Sequence, residues 1–343
     1  MIGLHWPRVK RPVGLTPSLL YIFDGSGVLQ QTTDQSIDVS ASLMHWAIGG
    51  SGNEDLFAQL DAHPDFDRAA RALASNMLNV AAGNESLDGI FKDAGRYVAA
   101  LWALYAHVTG GLTLPRLKEI CAASKLVSPG RARALLLYLR YLGYIESAGR
   151  DQNRVARYVP TAPFIATWTA HLRAALEAAR MIEPSAGLVL RRLHDPAVLE
   201  TFSRFQGEEL LAGAQNRLDM NSPYVRIFMN RHAGSQVIML LATGSTEGAF
   251  PTEGAMAFST AAVAKRFKVS RIHIKRMLDQ GEKEGFLRRQ ADGAIVLEEA
   301  ARATIRRMYV MQLAQLLSQA ARTLRERPEI LADTRADQQP EAA

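Results

Sequence analysis

Five residues close together, Ser270, Arg271, His273, Lys275 and Arg276, would fall within two turns if the segment is helical, and Arg288 and Arg289 follow a few residues later. A second set repeats the theme with Ser128, Arg131 and Arg133, then Arg150, Asn153, Arg154 and Arg157. These side chains are donors and cations without a paired acid, base or nucleophile, so they suit binding an anion rather than transforming it. Arginine fits this use best, because its planar fork grips a phosphate or a guanine edge with two hydrogen bonds. Catalytic signals are missing elsewhere. The stretch IGGSGNED at 48–55 lacks the Gly-Lys-Ser/Thr of a phosphate loop, and no G-x-S-x-G elbow occurs. The 8 histidines show no H-x-H or H-x-x-x-H spacing, and Cys121 is the only cysteine, so no metal site, cofactor or catalytic residue is expected and the chain does not read as an enzyme.

Both sets sit in segments that repeat. LVSPGRARALLLYLRYLGYIES at 126–147 and KVSRIHIKRMLDQGEKEGFLRR at 268–289 align at an offset of 142, matching Ser128 with Ser270, Gly143 with Gly285, Tyr144 with Phe286 and Ile145 with Leu287. EAAR at 177–180 meets QAAR at 319–322 at the same offset, and HPDF at 63–66 resembles DPAV at 195–198 at an offset of 132. Shared order and spacing point to an ancient duplication. Apolar periodicity makes each copy mainly helical. In the first copy, helices are expected over 65–82, 94–108, 115–124 and 128–142, then a hairpin around GRDQNR and a closing helix over 162–182. In the second they are expected over 197–219, 223–242, 259–267 and 270–284, then a hairpin around Ala-Asp-Gly and a closing helix over 298–326. The domains are accordingly 1–62, an arm or connector; 63–183 and 195–327, the two repeats; and 328–343, a disordered tail.

Charge follows the repeats. The 343 residues carry a net charge of +6. Residues 112–182 hold 11 Lys/Arg against 4 Asp/Glu (+7) and residues 260–310 hold 12 against 6 (+6), whereas 1–95 hold 6 against 11 (−5) and 183–259 hold 6 against 8 (−2). Two basic islands of this kind attract a polyanion through counterion release. A hydrophobic fraction of 48% with 22% charged residues excludes a disordered chain, and no apolar run is long enough to span a membrane. The N-terminus MIGLHWPRVKRP has no apolar h-region, so a cytoplasmic protein without a membrane partner is expected.

STAAVAKRFKVSRIHIKRMLDQGEKEGFLRR, at 259–289, resembles the winged helix-turn-helix of bacterial transcription regulators. LPRLKEICAASKLVSPGRARALLLYLRYLGYIES, with GRDQNRVAR as its wing, gives a second unit. With long helices on both sides, each unit is most similar to the MarR type, although members of that family usually carry one unit per chain. The resemblance implies a mainly α fold with small β-wings, built of two tandem winged helix-turn-helix domains related by a pseudo-twofold axis. It also implies that the long helices, with Trp168, Leu172 and Leu176 in one and Tyr309, Leu313, Leu316 and Leu317 in the other, form interfaces. A recognition helix presents its first two turns to the major groove, and a wing approaches the minor groove or backbone. Ser270, Arg271, His273, Lys275 and Arg276, with Ser128, Arg131 and Arg133, would be the helix contacts. Arg150, Asn153, Arg154 and Arg157, with Arg288 and Arg289, would be the wing contacts.

The expected function is a sequence-specific transcriptional regulator on double-stranded DNA. Two unlike recognition helices roughly 34–36 Å apart would read an imperfect palindrome. Pro129 and Gly130 leave the first repeat fewer polar side chains at its helix start, which makes the second repeat the better reader. A homodimer and a small-molecule effector held between flanking helices belong to the same family picture. Two other readings stay open: a DNA binder like plasmid replication initiators, which also pair two winged helices, and a winged-helix protein-interaction module. Cys121, His107, His171, Trp102 and Tyr105 read as interior residues, and Arg8, Lys10 and Arg11 as a basic arm or a disordered terminus.

Overall fold

The computed structural model describes residue 46 and residues 54–83, 89–90, 94–124, 127–214, 222–244 and 248–331. The basic arm at Arg8, Lys10 and Arg11 and the tail at 335–343 lie outside the described residues, as do LLYIFD and GVLQQT, which read either as short strands or as part of an arm.

The first repeat opens on α2 (Phe66–Gly83), where Phe66, Ala69, Ala70, Leu73, Ala74, Met77 and Leu78 fall on one helical face and are buried. α3 (Ala94–Val108) follows, then β1 (Leu112–Thr113), α4 (Leu114–Ser124) and α5 (Pro129–Tyr141). β2 (Ile145–Arg150) and β3 (Ala156–Pro160) form a hairpin, and α6 (Ala162–Ala179) closes the repeat. The second repeat runs from α8 (Pro196–Ala214) to a π-helical turn (Val225–Met229), α9 (Gly234–Ala242), β4 (Ala255–Met256), α10 (Thr260–Arg266) and α11 (Arg271–Lys283). β5 (Leu287–Arg289), β6 (Ile295–Leu297) and the 28-residue α12 (Glu299–Glu326) complete it. Ahead of the first repeat lies α1 (Glu54–Asp61), and α7 (Ala186–Arg192) lies between the two.

The sheets repeat in topology as well. Each is antiparallel and three-stranded, in the order β1-β3-β2 and β4-β6-β5. Leu112 pairs with Tyr158 and Met256 with Ile295. The corner between helix and wing is identical in the two: Gly143 at φ +70° and Gly285 at φ +67° stop α5 and α11 in the left-handed region. The next N–H donates back across the helix end, Tyr144 to the Leu139 carbonyl at 2.9 Å and Phe286 to the Gly281 carbonyl at 2.8 Å, again 142 residues apart.

The two repeats share one core, and their contacts are reciprocal. α2 packs on α6, and its counterpart α8 packs on α12. Across the repeats α8 packs on α3, and α2 on α9, while the closing helices α6 and α12 touch each other. α1 lies on α12, where Arg307 pairs with Glu54 at 2.9 Å. Arg306 reaches Asp67 on α2 at 2.5 Å and stacks over Phe66 at 4.4 Å. A buried carboxylate, Glu209 on α8, accepts from Ser318 Oγ at 2.5 Å and Gln319 Nε2 at 2.9 Å on α12.

Three expectations differ from the structure in detail: the first is the 328–343 segment, read as a disordered tail, which is described as far as 331 and buries Ile330 in the core. The helix expected over 223–242 is broken, because Ala233 takes φ +60° and the chain turns so sharply that a Cβ on Gly234 would stand 2.0 Å from the Phe228 carbonyl oxygen. The 1–62 segment, read as arm or connector, contains α1, whose Leu56, Phe57 and Leu60 are buried.

Gly207 sets the closeness of the α8–α3 crossing, since a Cβ there would lie 2.2 Å from Tyr105 Cδ2 and 2.8 Å from its Cβ. Alanine normally favours a helix by ~1 kcal/mol over glycine, but overpacking costs ~1–3 kcal/mol. Gly207→Ala is therefore expected to destabilise the protein by about 1–2 kcal/mol in urea unfolding. Gly130→Ala, which meets open space near the start of α5, is expected to be neutral or slightly stabilising. Equal behaviour of the two variants would contradict the close crossing.

Candidate nucleic-acid interface

α11 begins where Ser270, with extended backbone, accepts the His273 N–H on its hydroxyl at 3.1 Å. Ile274, Met277 and Leu278 are buried, and this anchoring turns the other face outward. Arg271, Lys275 and Arg276 are exposed on that face. Lys275 makes one exposed i,i+4 pair with Asp279 at 3.4 Å, and such pairs contribute ~0.3–0.5 kcal/mol, little enough to be exchanged for a phosphate. Arg271 and Arg276 form no ion pair among the described residues. His273 has a different role: its Nε2–H donates to the His232 carbonyl at 2.8 Å and ties the helix start to the corner before α9.

Sequence reasoning missed two parts of this surface. Ile272 is 62% exposed in the first turn of α11, where a branched apolar side chain can meet a thymine methyl. An apolar residue beside Ile274 reads as core until the face is known. Lys265, Arg266 and Lys268 are also exposed, at the end of α10 and in the turn to α11. Their signal was the charge run KRFK, which was read only as part of the basic island.

The second wing is short and bears no cation at its tip, residues 290–294. Arg289 folds back onto α11, with Nη1 2.8 Å from Asp279 and Nε donating to Glu282 at 2.9 Å, so the hairpin is bolted to the helix. The guanidinium in turn holds the Glu282 carboxyl below the usual carboxylate range. Arg288 pairs with Glu298 at 3.3 Å.

The first repeat distributes its charge the other way. Ser128 caps α5 more loosely, accepting the Arg131 N–H at 3.4 Å, and Arg131 and Arg133 are exposed. Its wing is longer. Asp151 Oδ1 accepts from the Asn153 and Val155 N–H groups at 2.9 and 2.8 Å, and Arg154 takes φ +60°. Arg150 Nη1 donates to the Arg154 carbonyl at 3.0 Å, so Arg150, Asn153 and Arg154 gather at an ordered, exposed tip. Arg157 lies away from them at the sheet, where its guanidinium covers Gly111.

The remaining candidates fall inside. Cys121 is buried, which pushes its thiol up to about 11 and leaves it unreactive at neutral pH. Burial pushes the His107 imidazole down. Among the described residues no group of three His, Cys, Asp or Glu side chains could hold a metal, and no helix is long and apolar enough to cross a membrane. No family model, curated protein or solved structure matches the chain.

Proposed function

We propose that the chain is a sequence-specific DNA-binding transcription regulator whose two repeats are unlike winged helix-turn-helix units. The observation that carries this reading is the first turns of α11: a capped helix start presenting Arg271, Lys275, Arg276 and Ile272 on one outward face. Those are donors for guanine and phosphate with an apolar contact for thymine, carried on a helix of 13 residues that a major groove accommodates. The first repeat contributes mainly through its wing, Arg150, Asn153 and Arg154, on backbone or minor groove. The reciprocal helix contacts support a twofold relation between repeats, so one chain would do what a regulator dimer does with two. Because α5 and α11 differ in every outward side chain after the cap, the two half-sites would differ too.

The test is selection from random duplexes at several salt concentrations. Two unlike half-sites about ten base pairs apart are expected. A single short motif would confine base reading to one repeat. Retention without enrichment would mean a non-specific binder, and no retention at low salt would reject the reading.

A further inference from the structure

The outer ends of α5 and α11 occupy equivalent positions but have opposite character. At the end of α5, Tyr141 is 85% exposed and Leu137, one turn earlier, is 49% exposed, with exposed Arg140 beside them. These form an apolar knob with a cation at its edge. At the equivalent place in the second repeat stand Lys283, Asp279 and Glu282. There the helix end, the wing base and the start of α12 enclose an open groove of about 880 Å³. Leu287, Ala300 and Ala303 give it an apolar floor, and its rim carries Glu282 and Glu298, paired with Arg289 and with the rim's own Arg288, together with Glu299. Glu299 is exposed and forms no ion pair among the described residues. Charge is reversed at two positions: Arg140 corresponds to Glu282 and Glu146 to Arg288, each 142 residues apart.

We propose that the groove receives the Leu137–Tyr141 knob of a second copy of this chain. Tyr141 and Leu137 would cover the floor, Arg140 would face the free Glu299 carboxylate, and Glu146 would approach Arg288. The apolar floor and the Glu299 carboxylate favour an aromatic anchor with a cationic edge over a nucleic acid as the occupant. The knob stands at the far end of α5 from Ser128, roughly 18 Å along the helix. Both partners of the contact therefore leave the first turns of α5 and α11 open, and duplex binding and this association are compatible. Knob and groove lie on different repeats, and in the proposed contact one molecule gives its knob and the other its groove, so the contact is heterologous and the pair keeps one unused knob and one unused groove. Association then grows head to tail rather than closing at two, and neighbouring molecules would bind adjacent sites cooperatively.

Sedimentation velocity of the full chain without DNA tests this independently of the DNA reading. Wild type is expected to grow past the dimer as concentration rises, and to shrink with added salt. Tyr141→Glu and Ala303→Arg change exposed positions and are expected to keep the wild-type circular dichroism. Each alone should weaken association by at least about tenfold, as loss of a central aromatic anchor or occlusion of its pocket does. Mixed together they should give one-to-one dimers that grow no further, since one intact knob and one intact groove remain. A wild type that stays monomeric, one that stops at two, association unaffected by either substitution, or a mixture that stays monomeric would each overturn the proposal.

Discussion

Replacing both Arg271 and Arg276 by alanine is expected to lower affinity for the selected duplex by about a thousandfold, or ~4 kcal/mol, taking ~1–3 kcal/mol for each bidentate base contact. The fold should be unaffected, because both side chains are exposed and the helix is held by Ser270, Ile274, Met277 and Leu278. The manner of the loss distinguishes two roles. If the arginines read bases, the double variant retains non-specific binding with a nearly unchanged salt slope and loses its preference among sequences. If they only meet phosphates, affinity falls evenly for all duplexes and the slope drops by ~0.9 per contact. The two arginines at the start of α5, replaced together as Arg131→Ala with Arg133→Ala, are expected to cost about tenfold, since Pro129 and Gly130 deprive the start of α5 of further donors. An equal loss in both repeats, or no loss in either, would refute the assignment of base reading to α11. Fluorescence anisotropy at three salt concentrations makes all these comparisons.

The order of elements around that helix was legible because the repeat fixes it twice. Ser128 and Ser270, or Gly143 and Gly285, are weak signals singly, yet each is a cap or a left-handed stop confirmed 142 residues away. The third strand of each sheet was not legible, since Leu112–Thr113 and Ala255–Met256 are 2 residues each, too short for alternation to show. α7 was missed because it is 7 residues long and buried nearly all round, which leaves no polar face to reveal its period. For the candidate site, exposure was readable and partnership was not. Arg288 and Arg289 are neighbours of the same type, but pleating sends Arg289 onto Asp279 and Glu282, while Arg288 meets Glu298. Which arginine faces a ligand and which braces the wing depends on carboxylates that come from a different element.

Acid should loosen the junction between the repeats, and His171 is the reason. It lies on α6 with its Nε2 3.1 Å from the Tyr97 hydroxyl on α3, packed against Trp168 at 5.1 Å between ring centroids. Tyr97 also bonds Gln206 on α8, so the contact spans both repeats. Burial pushes the imidazole down to about 3, from an ordinary value near 6.5. The neutral ring is thus favoured in the fold. Its contribution is complete above pH 6.5 and is lost as pH falls toward 3, because the unfolded chain takes up the proton first. Between pH 7 and pH 4 that linkage amounts to about 3 kcal/mol, at ~1.4 kcal/mol per unit. His171→Gln keeps a side-chain amide near the Tyr97 hydroxyl and cannot titrate. Urea unfolding across this range should show wild type losing about 3 kcal/mol more than the variant, whatever their difference at pH 7. Parallel curves would mean that the imidazole takes up its proton without cost inside the fold. If the curves diverge as expected, acid acts where α3, α6 and α8 meet. Binding that needs both half-sites would then fail at a higher pH than binding to one.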